Sequence, residues 1–263
     1  MIGHIEKLRE KLQSGRICLG SSVTFNDSAV TEALSASVDF LWIDLEHTPL
    51  THESMTAHLI AARAGGVPAI VRVPGGEESW IKKALDCGAE GIILPRCNSA
   101  EDVRRFVSAC RYPPLGTRGF GPRRPTNYGR IGPDDYIAWA NSKLFVIAQI
   151  ETAGAMEELD DIVAIDGLDS LVLGPFDLSG AIDRLGNIEG PVVTKAMQKV
   201  IDTARAAGKF IGSGVSANPR FAKMLADMGV QWIHVGCDYE YVRLAPERIF
   251  AEIRGDGTSN EHE

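Results

Sequence analysis

The segment VPAIVRVPGGEESWIKKALDCGAEGIILPR, residues 67–96, decides the fold. It opens on a short β-branched run, VPAIVRV, and continues into the helical pattern SWIKKALDCG. It then returns to a second apolar run, GIILPR. The helical stretch closes on Gly88, the usual helix stop. The same rhythm extends both ways. Upstream lie ICLGSSV (17–23) and DFLWIDL (39–45), followed by the helical patterns SAVTEALSAS and SMTAHLIAARAGG. Downstream come LFVIAQI (144–150), SLVLG (170–174), KFIGSGV (209–215) and QWIHVG (231–236), interleaved with AEDVRRFVSACR, VTKAMQKVIDTARAAG and PRFAKMLADMG. Eight strands alternating with helices predict a closed parallel (β/α)8 TIM barrel. The competitor is a doubly wound open sheet, and the lack of a GxGxxG after the first strand lowers it.

One barrel accounts for residues 1–255, and the tail GDGTSNEHE reads as disordered from residue 256. Two insertions break the rhythm. One is Gly-, Pro- and Arg-rich from Tyr112 to Asp135, and the other runs from Leu178 to Pro191. Loops of this length in a compact domain are usually functional or at an interface.

The 263 residues are 44% hydrophobic and 24% charged, ample for one large core. A net charge of −8 speaks against a nucleic-acid surface, which needs a basic stripe. Arg118, Arg123 and Arg124 make a local basic spot that leaves small anionic substrates open. The N-terminus lacks the apolar stretch of a signal peptide, and no apolar run has the length of a membrane span. Five cysteines without a CxxC pair read as reduced thiols, so the expectation is a cytoplasmic protein.

In such a barrel the active site lies at the C-terminal ends of the strands. That rule selects Asp44, Glu46 and His47 after the second strand, Arg72 at the end of the third, Gln149 and Glu151 at the fifth, and Asp177 after the sixth. Glu151 and Asp177 leave neighbouring strands, and two carboxylates with open positions suit a hard divalent cation such as Mg²⁺ or Mn²⁺. Asp177 equally suits the first turn of a helix, where the macrodipole favours an acid. His47 can accept a proton near neutral pH, or can simply cap the turn before Pro49. Arg72 ends an apolar strand and needs an anion or an internal pair with Asp44 or Glu46. The remaining histidines, His234 on the eighth strand among them, fit the site less well. Lys143 and Lys209 precede strands and the other lysines fall on helices or near the N-terminus, so none is placed for a Schiff base. Any negative charge developing on a substrate at this mouth then falls to a metal ion to stabilise. The loop GSGVSANP after the seventh strand could cradle a phosphate or be an ordinary glycine turn.

The segments DLEHTPL, GAEGIILPR, YPPLGTRGFG, QIET and LGPFDLS, in order between about Gly15 and Asp238, closely resemble the pyruvate-dependent class II aldolases. These are the 4-hydroxy-2-oxoheptanedioate and 2-dehydro-3-deoxyglucarate aldolases, related to the citrate lyase β-subunit. The resemblance implies Glu151 and Asp177 as ligands of Mg²⁺, Mn²⁺ or Co²⁺, Gln149 as a substrate contact, and the backbone at Phe176 and Asp177 as the pyruvate site. Members of the family usually carry a small residue where Phe176 stands. It further implies His47 as catalytic base and Arg72 as stabiliser of the transition state. Asp86 matches the acid that makes the histidine more basic, whereas strand-end geometry would choose Asp44, so both are candidates. Pyruvate and an aldehyde are the implied partners, and a hexamer of dimers exchanging the last helix is the implied assembly, with YEYVRLAPERIFAEI as that helix. The rival readings are an acyl-CoA lyase of the malyl-CoA or citryl-CoA type and a carboxylate-binding protein without turnover.

Overall fold

The computed structural model describes residues 3–255, so the tail read as disordered lies outside the described residues. Eight parallel strands close on themselves in sequence order. They are β1 (Cys18–Val23), β2 (Phe40–Asp44), β3 (Ala69–Arg72), β4 (Gly91–Leu94), β5 (Phe145–Ile150), β6 (Ser170–Leu173), β7 (Phe210–Val215) and β8 (Trp232–Cys237). Every strand proposed from the sequence is present. The helices are α1 (His4–Gln13), α2 (Ala29–Ser35), α3 (His52–Ala64), α4 (Glu78–Cys87), α5 (Ala100–Cys110), α6 (Pro133–Lys143), α7 (Ala153–Glu157), α8 (Leu159–Val163), α9 (Pro175–Ala181), α10 (Pro191–Ala206), α11 (Pro219–Met228) and α12 (Asp238–Arg254).

The apolar runs alternate between two cores. Leu41, Ile43, Val71, Ile92, Val146 and Leu171 face outward into the helical shell. Phe40, Trp42, Ile70, Ile93, Phe145, Ile147, Val172 and Trp232 fill the barrel, together with Ile5, Leu8 and Leu12 of α1. Helix α1 therefore plugs the N-terminal end, and the other end is left to polar groups. The large rings on β8 fit because β7 carries glycine beside them. A Cβ at Gly212 would lie 2.1 Å from the Trp232 ring, and one at Gly214 2.2 Å from His234.

Each insertion overlaps a helix that the sequence pattern had not separated: α6 starts at Pro133, near the end of the first, and α9, which begins directly after β6, runs into the second as far as Ala181. Of the basic spot, Arg123 is exposed, whereas Arg118 and Arg124 are structural. Arg118 is buried and binds Asp86 and the Tyr136 hydroxyl, while Arg124 donates to the carbonyls of Cys87 and Leu59. The five cysteines are unpaired thiols. Among the described residues no helix is long and apolar enough to cross a membrane.

Candidate active site

Strand register places Asp44 beside Arg72 at the C-terminal rim of the barrel. The guanidinium grips the carboxylate with two bonds, Nε to Oδ1 at 2.9 Å and Nη2 to Oδ2 at 2.7 Å. The Arg72 side chain is 13% exposed and that of Asp44 6%, so this is a buried, bidentate pair. The plane of Arg72 also lies over the Trp42 ring, 5.3 Å from its centroid. Burial alone would raise the Asp44 carboxyl, but the bonds and charge of Arg72 and the Glu46 amide outweigh it and hold it below the usual range. The remaining arm of Arg72 is 3.1 Å from Glu46 Oε2, and the same oxygen is 3.6 Å from His47 Nε2.

Across the mouth, Glu151 follows β5 and Asp177 sits in the first turn of α9. Glu151 Oε2 accepts from Gln149 Nε2 at 2.6 Å, and Oε1 accepts the backbone N–H of Arg96 at 2.8 Å. Arg96 follows β4 with a φ of +47°, a left-handed conformation uncommon for any residue but glycine. Its guanidinium reaches toward Asp177, 3.6 Å from Oδ1. Burial pushes Glu151 above the usual carboxylate range, the Arg96 amide opposes this, and the charges of Glu46 and Asp177 push it up further. Glu46 is raised in the same way, by burial against the pull of Arg72, with Asp44 and Asp177 adding repulsion. Glu46, Glu151 and Asp177 therefore act on one another across a single mouth. Among the described residues, the guanidiniums paired with Asp44 and these three acids are Arg72 and Arg96, which leaves the site with an excess of negative charge.

That arrangement fits a hard cation. The donors are carboxylate oxygens, the buried Gln149 Oε1 has no partner, and the space beside Glu151 is kept open by Gly174. A Cβ at Gly174 would come within 2.4 Å of Glu151 Oε2. Among the described residues no three His, Cys, Asp or Glu side chains converge as a metal-binding group. The chain would thus offer two carboxylates and leave the other positions to water and substrate.

The other expected residues divide clearly. His47 stands at the rim with its side chain 64% exposed, and Glu46 is the carboxylate nearest to it. Asp44 turns both oxygens to Arg72. Asp86 lies in the last turn of α4, on the side of the barrel away from the strand ends, and is bound by Arg118 at 2.9 Å. Within one chain the structure does not bring Asp86 to His47, because α4 runs antiparallel to the strands and carries its end away from the mouth. Phe176 is 59% exposed at the start of α9, a helix whose first turn has no side-chain cap. His58 is structural, held by Thr31 and the Phe25 carbonyl. Lys209 donates to the carbonyls of Ile165 and Leu168 in the turns that precede β6, far from the site chemistry. At the GSGVSANP loop, the Asn218 side chain accepts the amides of Arg220 and Phe221, so the start of α11 is already capped.

Sequence reasoning missed Arg96, whose only local signal is a charge directly after the apolar run GIILP. It also set aside His234. That ring packs against Trp42 at 4.8 Å, and burial drives its pKa down to about 4, so it is neutral beneath Arg72.

The family model described as HpcH/HpaI aldolase/citrate lyase matches residues 22–245. The chain is 34% identical over 251 residues to a hydroxypyruvate/pyruvate aldolase of Roseovarius nubinhibens, covering 94% of this chain and 96% of that protein. It is 35% identical over 233 residues to a 2-keto-3-deoxy-L-rhamnonate aldolase of Salmonella gallinarum, covering 88% and 86%. Among solved structures, an HpcH/HpaI aldolase/citrate lyase family protein from Burkholderia cenocepacia superposes with a TM-score of 0.87 at 30% identity, covering 94% of this chain and 99% of that one. With the family match spanning most of the barrel and aldolases among its relatives, the chain belongs to the HpcH/HpaI aldolase/citrate lyase family and is a carbon–carbon lyase of the aldolase type.

Proposed function

We propose that this aldolase interconverts 4-hydroxy-2-oxo acids with pyruvate and an aldehyde, using a divalent cation (Mg²⁺, Mn²⁺ or Co²⁺) held by Glu151 and Asp177. The observation that carries the reading is the gathering of Glu151 and Asp177 around Arg96, whose amide is 2.8 Å from Glu151 Oε1 and whose guanidinium is 3.6 Å from Asp177 Oδ1, beside the unpartnered buried Gln149 Oε1. When bound, the metal supplies Lewis-acid stabilisation of the charge developing on the 2-oxo oxygen. Gln149 and the backbone at Phe176 and Asp177 orient the 2-oxo acid. Arg72 is fixed by Asp44 and is therefore preorganised to meet negative charge at little reorganisation cost. His47 removes the 4-hydroxyl proton, the C3–C4 bond breaks, the aldehyde leaves, and C3 of pyruvate is protonated. Glu46 Oε2, 3.6 Å from His47 Nε2, is the carboxylate beside this base, where the sequence had offered Asp44 or Asp86. The test is pyruvate release from a panel of 4-hydroxy-2-oxo acids with and without chelator. Turnover only with metal supports the reading, and full turnover in chelator overturns it.

An exchanged last helix is the second part of the proposal. Of the 17 residues of α12, only Asp238 and Glu240, at its start, are buried. Val242, Ile249, Phe250 and Ile253 are exposed, and so is Leu19 on the outer face of β1. An apolar helix face and an exposed apolar strand residue on one chain suit exchange between two copies, with three such dimers making a hexamer. Sedimentation of a variant carrying Ile249→Glu and Ile253→Glu tests it, with a smaller species expected and an unchanged one contradicting it.

A further inference from the structure

We infer that Arg96 is the resident counter-ion of the metal site, a positioning residue whose charge sets how tightly Glu151 and Asp177 take a divalent cation. The inference rests on the assignment of those two acids as ligands. Arg96 addresses both of them from a third strand end. Its amide fixes Glu151 Oε1 at 2.8 Å, and its guanidinium stands 3.6 Å from Asp177 Oδ1. The same guanidinium charge draws Glu46 downward against the repulsion of its neighbours. The backbone conformation that permits this, φ +47°, is one that a long side chain rarely adopts, and such conformations concentrate at functional sites.

The two arginines of the mouth differ in kind. Arg72 is 13% exposed and locked bidentately to Asp44. Arg96 is 63% exposed, and its contact with Asp177 is a single long one. An exposed pair of that length is weak, so the guanidinium can swing clear when a cation approaches. While it remains, it neutralises part of the repulsion among the acids and keeps Asp177 turned to the mouth. A divalent cation must displace it or share Asp177 with it, against direct charge repulsion. Glu151 pays no such toll on the amide side, because the backbone N–H stays where it is.

The test is calorimetric titration of Mn²⁺ into the full-length, chelator-treated protein without substrate, at low and at high ionic strength. Arg96→Met removes the charge and leaves the backbone conformation as it is. It should bind Mn²⁺ about three- to tenfold more tightly at low ionic strength, the scale expected for an exposed ion pair plus its repulsion of the metal. The gap should narrow at high ionic strength, because exposed charges are screened. Arg96→Gly, suited to the left-handed backbone, should tighten binding as well, and Arg96→Lys should return it to the parental value. Equal or weaker Mn²⁺ binding by Arg96→Met and Arg96→Gly overturns the inference, as does Arg96→Lys behaving like Met. Glu151→Gln is titrated in the same series. If it loses Mn²⁺ while Arg96→Met matches the parent, the ligand assignment stands and the counter-ion fails alone. If Glu151→Gln binds as the parent does, both fall.

Discussion

Replacing Asp44 with Asn should expose how much of the barrel rim depends on one ion pair. The carboxylate takes two guanidinium bonds, at 2.9 and 2.7 Å, with both side chains nearly out of solvent. Asparagine keeps the shape but offers one acceptor where there were two, and its NH₂ faces a guanidinium that can only donate. Breaking a buried pair by removing one partner costs about 3–5 kcal/mol, because the other charge is left uncompensated. Here Glu46, 3.1 Å from the third arm of Arg72, retains part of the compensation, so the lower end applies, about 3 kcal/mol. For a chain of this size each kcal/mol moves the melting temperature by about 2–4 °C, which gives a fall of roughly 6–12 °C. Differential scanning calorimetry of the chelated protein reads it directly. A fall under about 2 °C would mean that Arg72 does not depend on Asp44, and the argument for a preorganised guanidinium would go with it.

His47→Ala should lower aldol cleavage by about 10²–10⁴-fold while leaving Mn²⁺ affinity at the parental value, since His47 is assigned as base and not as ligand. Steady-state kinetics beside calorimetry separates the two, and loss of metal would make it a ligand. Gly174→Ala should fold normally yet bind the cation much more weakly, because the new Cβ meets Glu151 Oε2 at 2.4 Å and must turn the carboxylate away. Unchanged Mn²⁺ affinity would remove Glu151 from the coordination sphere. The melting temperature of the chelated protein should follow pH with two opposite limbs. Glu46 and Glu151 are raised in the fold, so the stability they permit is full below the ordinary glutamate value near ~4.3 and is lost as pH climbs through their folded values. Asp44 is lowered, so its contribution is full above ~3.9 and is lost as pH falls through its folded value. Melting scans should therefore rise on acidification from neutral pH before falling at stronger acid, and metal should flatten the first limb. A monotonic decline from neutral pH in chelator would contradict the repulsion among the acids.

The barrel was legible because the strands are short, mostly apolar runs that are largely buried, bounded by turn residues. The plug was not. HIEKLREKLQ carries the apolar spacing of an amphipathic helix, but no local signal says that Ile5, Leu8 and Leu12 enter the barrel rather than its shell. Helices α7 and α8, five residues each, are too short for a helical period to show. Strand-end reasoning expected Asp44, Glu46, His47, Arg72, Gln149, Glu151 and Asp177 at one rim of the barrel, and they lie there because each ends or directly follows a strand. It did not find the pairing of Glu46 with His47, which depends on how the turn before Pro49 folds. Nor did it give Arg96 a role, since that depends on a positive φ and on an acid two strand ends away in sequence. Asp86 shows the reverse case, in which a motif match names a residue but the antiparallel course of α4 delivers it to Arg118.

On the proposed mechanism, the enolate of pyruvate forms at Glu151 and Asp177 only with a divalent cation present. Exchange of the pyruvate methyl protons with solvent deuterium, followed by NMR, measures enolate formation without any aldehyde. In chelator the exchange should stop. Mg²⁺, Mn²⁺ or Co²⁺ should restore it in the parent but not in Glu151→Gln or Asp177→Asn. Exchange that proceeds at full rate in chelator, or pyruvate trapped on a lysine by borohydride, would contradict the account.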